Sequence, residues 1–313
     1  MAGTAPDFTE CHGCSLCLLV CPVWQQTRDV ALAPKGVARA LQRNAASEEL
    51  RYAANACILC GACNTVCPQD IDLFAMMLDL RHQDAGDSEI GEQDSIDIVS
   101  NDKTGSLLIP SKALQEQPEL LGITQQLINE TTPARVASDT GNDIVKTIES
   151  GLAVSEERLQ QFLKPLRKCS RIIVDDGLLF RCLLQWLPHV RIISLGAVLS
   201  DMKPCRDLGP GDLYVINSRA YHADYSRLCG HYDNLIKATE CKTNLDLNRV
   251  AIPTLGGAQQ EVLDSKLQVE HLLEGRDINR IVVEDIQDAT EISNWCDYPI
   301  MHVAEFINHV RAA

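Results

Sequence analysis

The sequence predicts an α+β protein, with a helical, cysteine-rich first quarter followed by a duplicated α/β region with mainly parallel sheets. Three observations support this prediction. Eight of the 14 cysteines lie within the first 67 residues, in two copies of one spacing. After residue 104, apolar β-branched runs alternate with helical stretches, which is typical of strand–helix–strand units. Several of these runs return in the same order about 109 residues later.

The charge balance limits the classes of partner. The chain has 313 residues, a length that favours two or three domains. It carries 28 Lys and Arg against 43 Asp and Glu, which gives a formal net charge of -15. Binding to nucleic acid or to an anionic membrane surface needs a basic face. We therefore expect neither partner.

The sequence also predicts where the cysteines are used. It contains no apolar run of the roughly 18 to 20 residues that a transmembrane helix needs. Its first ten residues lack the basic and apolar segments of an export signal. We expect a cytoplasmic protein without a transmembrane segment. Cysteines in that compartment serve metal or redox chemistry rather than a disulfide framework.

Two cysteine motifs share the spacing C-x2-C-x2-C-x3-C-P. The first comprises Cys11, Cys14, Cys17, Cys21 and Pro22, and the second comprises Cys57, Cys60, Cys63, Cys67 and Pro68. This is the spacing of bacterial two-cluster ferredoxins. Three cysteines of each motif curl around one corner of an iron–sulfur cubane, and the fourth points away toward the other cluster. The sequence therefore predicts two [4Fe-4S] clusters.

Crossed ligation divides the eight cysteines into two predicted ligand sets. One cluster is assigned to Cys11, Cys14, Cys17 and Cys67, and the other to Cys57, Cys60, Cys63 and Cys21. Zinc is the alternative metal for clustered cysteines. It usually takes four ligands from two separated cysteine pairs, which this repeated pattern does not supply.

Three helices are predicted around the motifs. One begins near Pro34, the second has Ser47 as its N-cap, and the third spans residues 69–82. A helical two-cluster region of this kind resembles the ferredoxin domains of heterodisulfide reductases. It is similar also to those of succinate, glycolate and glycerol-3-phosphate dehydrogenase iron–sulfur subunits. The resemblance implies a ferredoxin domain over residues 1–84.

The acidic stretch over residues 85–103 is predicted to be a solvated linker, with a partner-docking strand as the alternative. Strands and helices then alternate, which indicates a mainly parallel sheet. The predicted strands lie at 106–110, 135–138 and 171–175, and the predicted helices at 119–130 and 155–166.

An internal duplication is predicted in the second half of the chain. The matching pairs are Leu107 with Leu213, Arg171 with Arg280, Trp186 with Trp295, and Ile193 with Met301. These matches define two α/β units at residues 104–203 and 211–313, joined by a segment rich in proline and glycine.

The paired units resemble the cysteine-rich "CCG" domains that follow ferredoxin domains in heterodisulfide reductases and in glycolate, lactate and glycerol-3-phosphate dehydrogenase subunits. In that family each copy presents Cys-Cys-Gly and further cysteines at strand ends. Here the corresponding positions hold Asp139-Thr-Gly141, Thr254-Leu-Gly256, the pairs Asp-Asp and Glu-Asp that follow Val174 and Val283, and Tyr225. The resemblance therefore implies a C-terminal half that has lost its cysteine chemistry.

Six cysteines lie outside the two motifs: Cys169, Cys182, Cys205, Cys229, Cys241 and Cys296. We predict buried, unreactive thiols, a role that Cys182 and Cys296 fit best among their apolar neighbours. The alternative is a third cluster held by Cys205, Cys229 and Cys241 with His231. The chain lacks a G-x-G-x-x-G fingerprint, so no bound NAD or FAD is expected.

Together these features predict an iron–sulfur electron-transfer subunit rather than a catalytic one. The α/β half would then dock a flavoprotein, a cysteine-rich redox subunit, or both, in a hetero-oligomer. Two alternatives stay open. A disulfide-reductase-type catalytic subunit would need redox-active cysteines in the C-terminal half, whereas in a redox-sensing or assembly protein the clusters would be structural or regulatory.

Overall fold

The computed structural model describes residues 8–85, 106–253 and 262–312. Its first part is helical, with two 3-10 turns at Phe8–Glu10 and Val30–Leu32. The α-helices of this part are α1 Leu16–Leu19, α2 Pro22–Thr27, α3 Pro34–Leu41, α4 Ser47–Ala56, α5 Ala62–Thr65 and α6 Leu73–Ala85. Residues 86–103 of the predicted linker lie outside the described residues.

Two predicted helix starts need correction. Helix α3 begins at Pro34, as the sequence predicts. Ser47 is the first residue of α4 rather than its N-cap, which is Ala46, whose N–H donates to the Glu49 carboxylate at 3.2 Å. The third helix begins at Leu73 instead of residue 69. The carboxylate of Asp72 accepts from the N–H of Ala75 at 2.9 Å and so fixes that start.

The first α/β unit contains a four-stranded sheet. Its elements are β1 Ser106–Ile109, α7 Lys112–Gln115, α8 Pro118–Thr131, β2 Ala134–Val136, α9 Asn142–Glu149, α10 Glu156–Leu166, β3 Arg171–Val174, α11 Gly177–Trp186, β4 Arg191–Ser194 and α12 Leu195–Ser200. The strand order is β2-β1-β3-β4, and all pairs are parallel. A 3-10 turn at Lys203–Asp207 leads into the next unit.

The second unit has a sheet of the same kind. Its elements are β5 Asp212–Val215, α13 Ser218–Ala223, α14 Tyr225–Thr239, β6 Lys242–Thr243, β7 Leu245–Asp246, β8 Val250–Ala251, α15 Ser265–Leu273, β9 Arg280–Val283, α16 Ile286–Ser293, β10 Ile300–His302 and α17 Val303–Ala312. The main sheet has the order β10-β9-β5-β6 with parallel pairs, while β7 and β8 form an antiparallel pair.

The two main sheets have equivalent strand orders and registers. Read from β6, the second order is β6-β5-β9-β10, which corresponds strand by strand to β2-β1-β3-β4. Ile173 pairs with Ile193 in the first sheet, and Val282 pairs with Met301 in the second. This agreement supports the proposed duplication, whose exact boundaries stay a prediction.

The helical region and the α/β half share their apolar cores. One core joins Leu50 and Met77 of the helical region to Ile144, Phe162 and other residues of the first α/β unit. A second core joins the two sheets through residues that include Leu108 and Tyr214.

The fold-class prediction is confirmed, because a helical first region is followed by parallel sheets. Within the described ranges, no helix is both long and apolar enough to cross a bilayer.

Candidate iron–sulfur site

Residues 11–17, the first loop, and residues 57–63, the second loop, have the same backbone conformation. The third and fifth residues of each loop have positive φ angles: 75° at Gly13, 75° at Ser15, 53° at Leu59 and 76° at Gly61. Alternation between right- and left-handed residues turns successive N–H groups toward one concave side and makes a cradle for an anion. Both loops are therefore shaped for a negatively charged cluster.

A short helix follows each loop and directs the fourth cysteine away from it. The N–H of Leu18 donates to Ser15 at 3.0 Å, and the N–H of Asn64 donates to Gly61 at 3.1 Å. Helices α1 and α5 thus begin in the same way after the two loops. The fourth cysteine comes two residues after each helix, and Pro22 then occupies the first position of α2.

One cavity collects the ligand set predicted for the second loop. Its wall contains the second cysteine group, which is Cys21, Cys57, Cys60 and Cys63. Apolar residues such as Val23 and Phe74 form much of the remaining wall. Cys21 therefore lies with the cysteines of the other loop, as crossed ligation requires. The contents of this wall fit a [4Fe-4S] cluster with four thiolate ligands.

The first cysteine group is Cys11, Cys14, Cys17 and Cys67. Burial raises the pKa of the Cys17 thiol to about 11, and the neighbouring thiols of Cys11, Cys14 and Cys67 add to this shift. These four thiols are therefore near neighbours. Their proximity supports the predicted ligand set, which itself stays a prediction.

The arrangement of donors differs from a single-ion site. No three His, Cys, Asp or Glu side chains in the described part of the chain converge on a point that one metal ion could occupy. In a cubane, each thiolate binds a different iron, so four sulfur atoms can surround a cluster without converging on one ion. The cavity wall that gathers the four thiols of Cys21, Cys57, Cys60 and Cys63 is compatible with such a cluster.

The two groups differ in exposure. In the first group Cys14 is exposed and Cys11 is half-buried, whereas Cys21, Cys60 and Cys63 of the second group are buried. The helices show the same contrast, because Leu16 of α1 is 42% exposed while Ala62, at the same position of α5, is 1% exposed. The first group is thus more exposed to solvent than the second.

Polar side chains of the helical region itself support the first loop. Lys35 donates to the hydroxyl of Ser15 at 2.6 Å. Arg39 and Gln42 donate to the carbonyl of Cys11 at 3.2 and 3.0 Å. These contacts come from α3 and the residue after it, so this loop is held within its own region.

The second loop is held largely by the α/β half. Arg219 of α13 donates to the carbonyl of Ile58 at 3.0 Å and forms an ion pair with Glu149 of α9. His222 of α13 lies with its Nδ1 3.1 Å from the carbonyl of Cys60. The remaining contact comes from the helical region, where Arg81 donates to the carbonyl of Cys57.

Three side-chain atoms beside the second loop are buried without a hydrogen-bond partner in the described structure. They are Nη2 of Arg181, on α11, Nε2 of His222 and Nε of Arg219. Burial lowers the pKa of His222 to about 3, so this imidazole is neutral. Buried polar atoms are rarely left without a partner. The Arg181 donor therefore points to an anionic group that is present when the loop is loaded.

Carboxylates occupy the strand ends where the CCG resemblance implies cysteines. Asp175 accepts from the N–H of Ser111 at 3.1 Å, and Glu284 accepts from the N–H of Asn217 at 2.9 Å, the equivalent bond of the second unit. The next residue of each unit, Asp176 and Asp285, caps the following helix. These positions therefore serve the fold.

Of the two positions aligned with Cys-Cys-Gly, the one within the described residues also has a structural role. Asp139 forms an ion pair with Arg158 at 2.8 Å, and Arg158 also binds Asp143. Residues 254–256 lie outside the described residues.

The prediction for the C-terminal cysteines is only partly right. Cys205 and Cys241 are buried, with 0% and 4% exposure, but Cys182 and Cys296 are half-buried and so are not the best examples. Cys205 donates to the carbonyl of Leu199 at 3.3 Å. His231, the fourth ligand of the alternative third cluster, lies 2.7 Å from the hydroxyl of Ser200.

Comparison with known proteins identifies the class of site. The family described as "4Fe-4S dicluster domain" matches residues 7–71, which include both motifs. Neither a curated protein nor a solved structure matches the chain. The helical region is therefore an iron–sulfur region that binds 4Fe-4S clusters and supports electron transfer. The match does not extend to the α/β half.

Sequence reasoning missed the side chains that complete the second site. Arg181, Arg219 and His222 lie more than 100 residues after the second loop, and no motif marks them. His222 lies three residues before Tyr225, one of the positions that the CCG resemblance singles out, and this was the one signal close to it. Neighbouring Tyr221 is fully buried in the core between the sheets.

Proposed function

We propose that this chain is the electron-transfer subunit of a redox complex, with one [4Fe-4S] cluster in each cysteine group. When bound, such a cluster takes up and releases one electron at a time. The observation that carries the proposal is the pair of equivalent loops, one of which shares a single cavity with the cysteine that crosses from the other motif.

The exposed group offers a place for electron exchange with a partner. Cys14 is exposed, and Leu16 and Leu19 on the adjoining helix are 42% and 48% exposed. Apolar side chains beside an accessible redox group suit a transient protein contact. The buried second group would then communicate with the rest of the complex through the α/β half.

The α/β half would act as a docking platform. Helices α11 and α13 lie against one another on the side of the second loop, and their counterparts in the duplication, α16 and α7, contact each other elsewhere. A cleft of about 660 Å³ opens along α7 and α16, with charged side chains that include Lys112, Lys146 and Glu116 in its wall. We propose that a flavoprotein or an intact cysteine-rich subunit docks there, in a cytoplasmic hetero-oligomer.

The carboxylates that follow the strands cap the next helices, and this argues against the disulfide-reductase alternative. Asp176 and Asp285 bind helix N–H groups in place of offering thiols. Such a chain resembles the heterodisulfide reductase type in layout, but in our proposal a partner subunit carries out the substrate chemistry.

Anaerobic purification of the tagged chain from its own host tests the proposal. We expect a stoichiometric redox subunit to co-purify, and the clusters to become reduced when the substrate of that subunit is added. Turnover of a substrate by the isolated chain would contradict the proposal. Clusters that do not cycle reversibly would favour a sensing or assembly role instead.

A further inference from the structure

Arg181 occupies a fixed position in the wall of the second site. A Cβ atom on Gly61 would overlap its Nη2 atom, so the guanidinium lies directly against the second loop. The guanidinium also stacks on the ring of Phe74, 4.3 Å from the ring centroid. Gly61 and Phe74 both line the cavity that contains the second cysteine group. Arg181 is thus held by α11 at the edge of this cavity.

Within the described residues, the positive charge of Arg181 has no ionic partner of its own. The ion pairs found in the described part of the chain do not include it. The carboxylate of Asp72, whose charge acts on Arg181, already accepts from the side chain of Asn64 at 2.7 Å and from the N–H of Ala75 at 2.9 Å. Burial lowers the pKa of Arg181, while the charges of Asp72 and of the nearby cysteine thiols oppose that shift.

The other two arginines beside the second loop differ from Arg181. Arg219 is neutralised by Glu149. Arg81 directs its donors to backbone carbonyls, including those of Ala54 at 2.9 Å and Glu149 at 2.7 Å. Both side chains therefore have partners within the protein. The charges of Arg81 and Arg219 also act on Cys57. Among the three arginines, Arg181 is the one whose terminal Nη2 is buried without a hydrogen-bond partner in the described structure, so an anionic cluster would complement it.

We propose that Arg181 raises the reduction potential of the cluster held by the second cysteine group, and that the α/β half thereby controls that potential. The inference rests on the proposed function, since it needs a cluster in that group. Arg181 is a positioning and tuning residue and not a ligand.

The sign of this effect follows from electrostatics. Reduction adds one negative charge to a cluster, so a nearby cation stabilises the reduced form more than the oxidised form. A buried charge is weakly screened by salt and acts through a low effective dielectric constant. Because Arg181 belongs to α11, any partner that shifts this helix would also shift the potential.

The first loop offers a matched control. Ser15 stands at the position that Gly61 occupies in the second loop, and Lys35 contacts Ser15 through its hydroxyl. Lys35 is therefore the counterpart of Arg181 for the first group. It belongs to the helical region, and the first group beside it is more open to solvent. We expect its influence to fall on the first cluster and to be smaller.

The test is a potentiometric titration of the anaerobic full-length chain, followed by electron paramagnetic resonance. The variants are Arg181→Gln, Arg181→Met, Arg181→Lys and the control Lys35→Gln. For both neutral Arg181 variants we expect one midpoint to fall by at least about 59 mV, which corresponds to a tenfold lower reduced-to-oxidised ratio at fixed potential for a one-electron couple. Arg181→Lys keeps the positive charge, so its midpoint potential should stay close to that of the wild-type chain. Lys35→Gln should move the other midpoint.

The outcomes separate this inference from the proposed function. Iron content far below that of two clusters in the wild-type chain would overturn both. Normal iron content with unmoved midpoints in Arg181→Gln and Arg181→Met would overturn the role of Arg181 alone. If the neutral variants lose the second cluster while Arg181→Lys keeps it, the need for a positive charge is supported. Loss in all three Arg181 variants would count against the charge.

Discussion

The two cysteine loops share one backbone conformation but have different surroundings. Left-handed residues stand at the same positions of both loops. The first loop is open to solvent and is supported by Lys35 and Arg39 of its own region. The second is buried and is supported by Arg219 and His222 from the α/β half. The cysteine motif therefore accounts for the shape of each loop, whereas the rest of the chain determines what surrounds that loop.

This difference also revises the relation between the two halves of the chain. A helical region that folded and worked alone would need to supply both cluster environments itself. Here the apolar core is shared with the first α/β unit, and the second loop depends on side chains of α11 and α13. The α/β half therefore supplies part of the surroundings of the second loop.

The largest expected effect comes from breaking the crossed ligation. Cys21→Ser removes a ligand from the cavity wall of the second group, so it should remove or alter the cluster held by Cys57, Cys60 and Cys63. Cys67→Ser is the matched variant and should damage the first cluster. Iron analysis with spectroscopy that resolves the two clusters decides between them. If Cys21→Ser damages only the cluster of Cys11, Cys14 and Cys17, crossed ligation is wrong.

The next effect compares the side chains that support the loops. Arg219→Met breaks a partly buried ion pair with Glu149 and removes the donor to Ile58, which should cost about 1.5 to 3 kcal/mol in the free energy of unfolding. Lys35→Met removes one hydrogen bond at the more open loop and should cost about 1 kcal/mol. Anaerobic denaturant unfolding at matched iron content measures both. Equal losses of unfolding free energy in the two variants would contradict the proposed difference in how the two loops are supported.

A smaller effect compares two glycines. Alanine costs about 1 to 2 kcal/mol in a left-handed conformation, so Gly13→Ala and Gly61→Ala share that loss. A Cβ on Gly13 meets only the flexible side chains of Lys35 and Arg39, at 3.8 and 3.9 Å. A Cβ on Gly61 overlaps Arg181 and should add about 1 to 3 kcal/mol of overpacking.

The same denaturant experiment separates the two glycine variants. Gly61→Ala in the background of Arg181→Gln serves as the control, because the clash should then be reduced. An additional cost that persists unchanged in the double variant would mean that Arg181 is not the obstacle.

Local signals predicted much of the fold. Pro34 marks the start of α3. The β-branched runs at Arg171–Val174 and Arg280–Val283 form equivalent central strands, one in each sheet. Each of these elements depends on residues close together in sequence. The errors at Ser47 and at residue 69 are shifts of helix starts. Ala46, one residue before Ser47, is the N-cap of α4, and Asp72, three residues after residue 69, accepts from the first turn of α6.

The candidate site was predictable only in its ligands. Fixed cysteine spacing identified the two motifs because loop geometry around a cluster is local. The contacts of Arg181 and Arg219 with the second loop depend on how distant helices pack, which no spacing records. Likewise, Leu59 has a φ of 53° although its side chain gives no sign of a left-handed residue. Its role emerges from the equivalence with Gly13.

Iron release from the anaerobically purified full-length chain tests the central claim most directly. We expect about eight irons and eight sulfides per chain, as two [4Fe-4S] clusters require. A chelator should remove about four irons quickly from the exposed first group and about four slowly from the buried second group. A total of about four irons, or one uniform phase that releases all of them, would contradict the account.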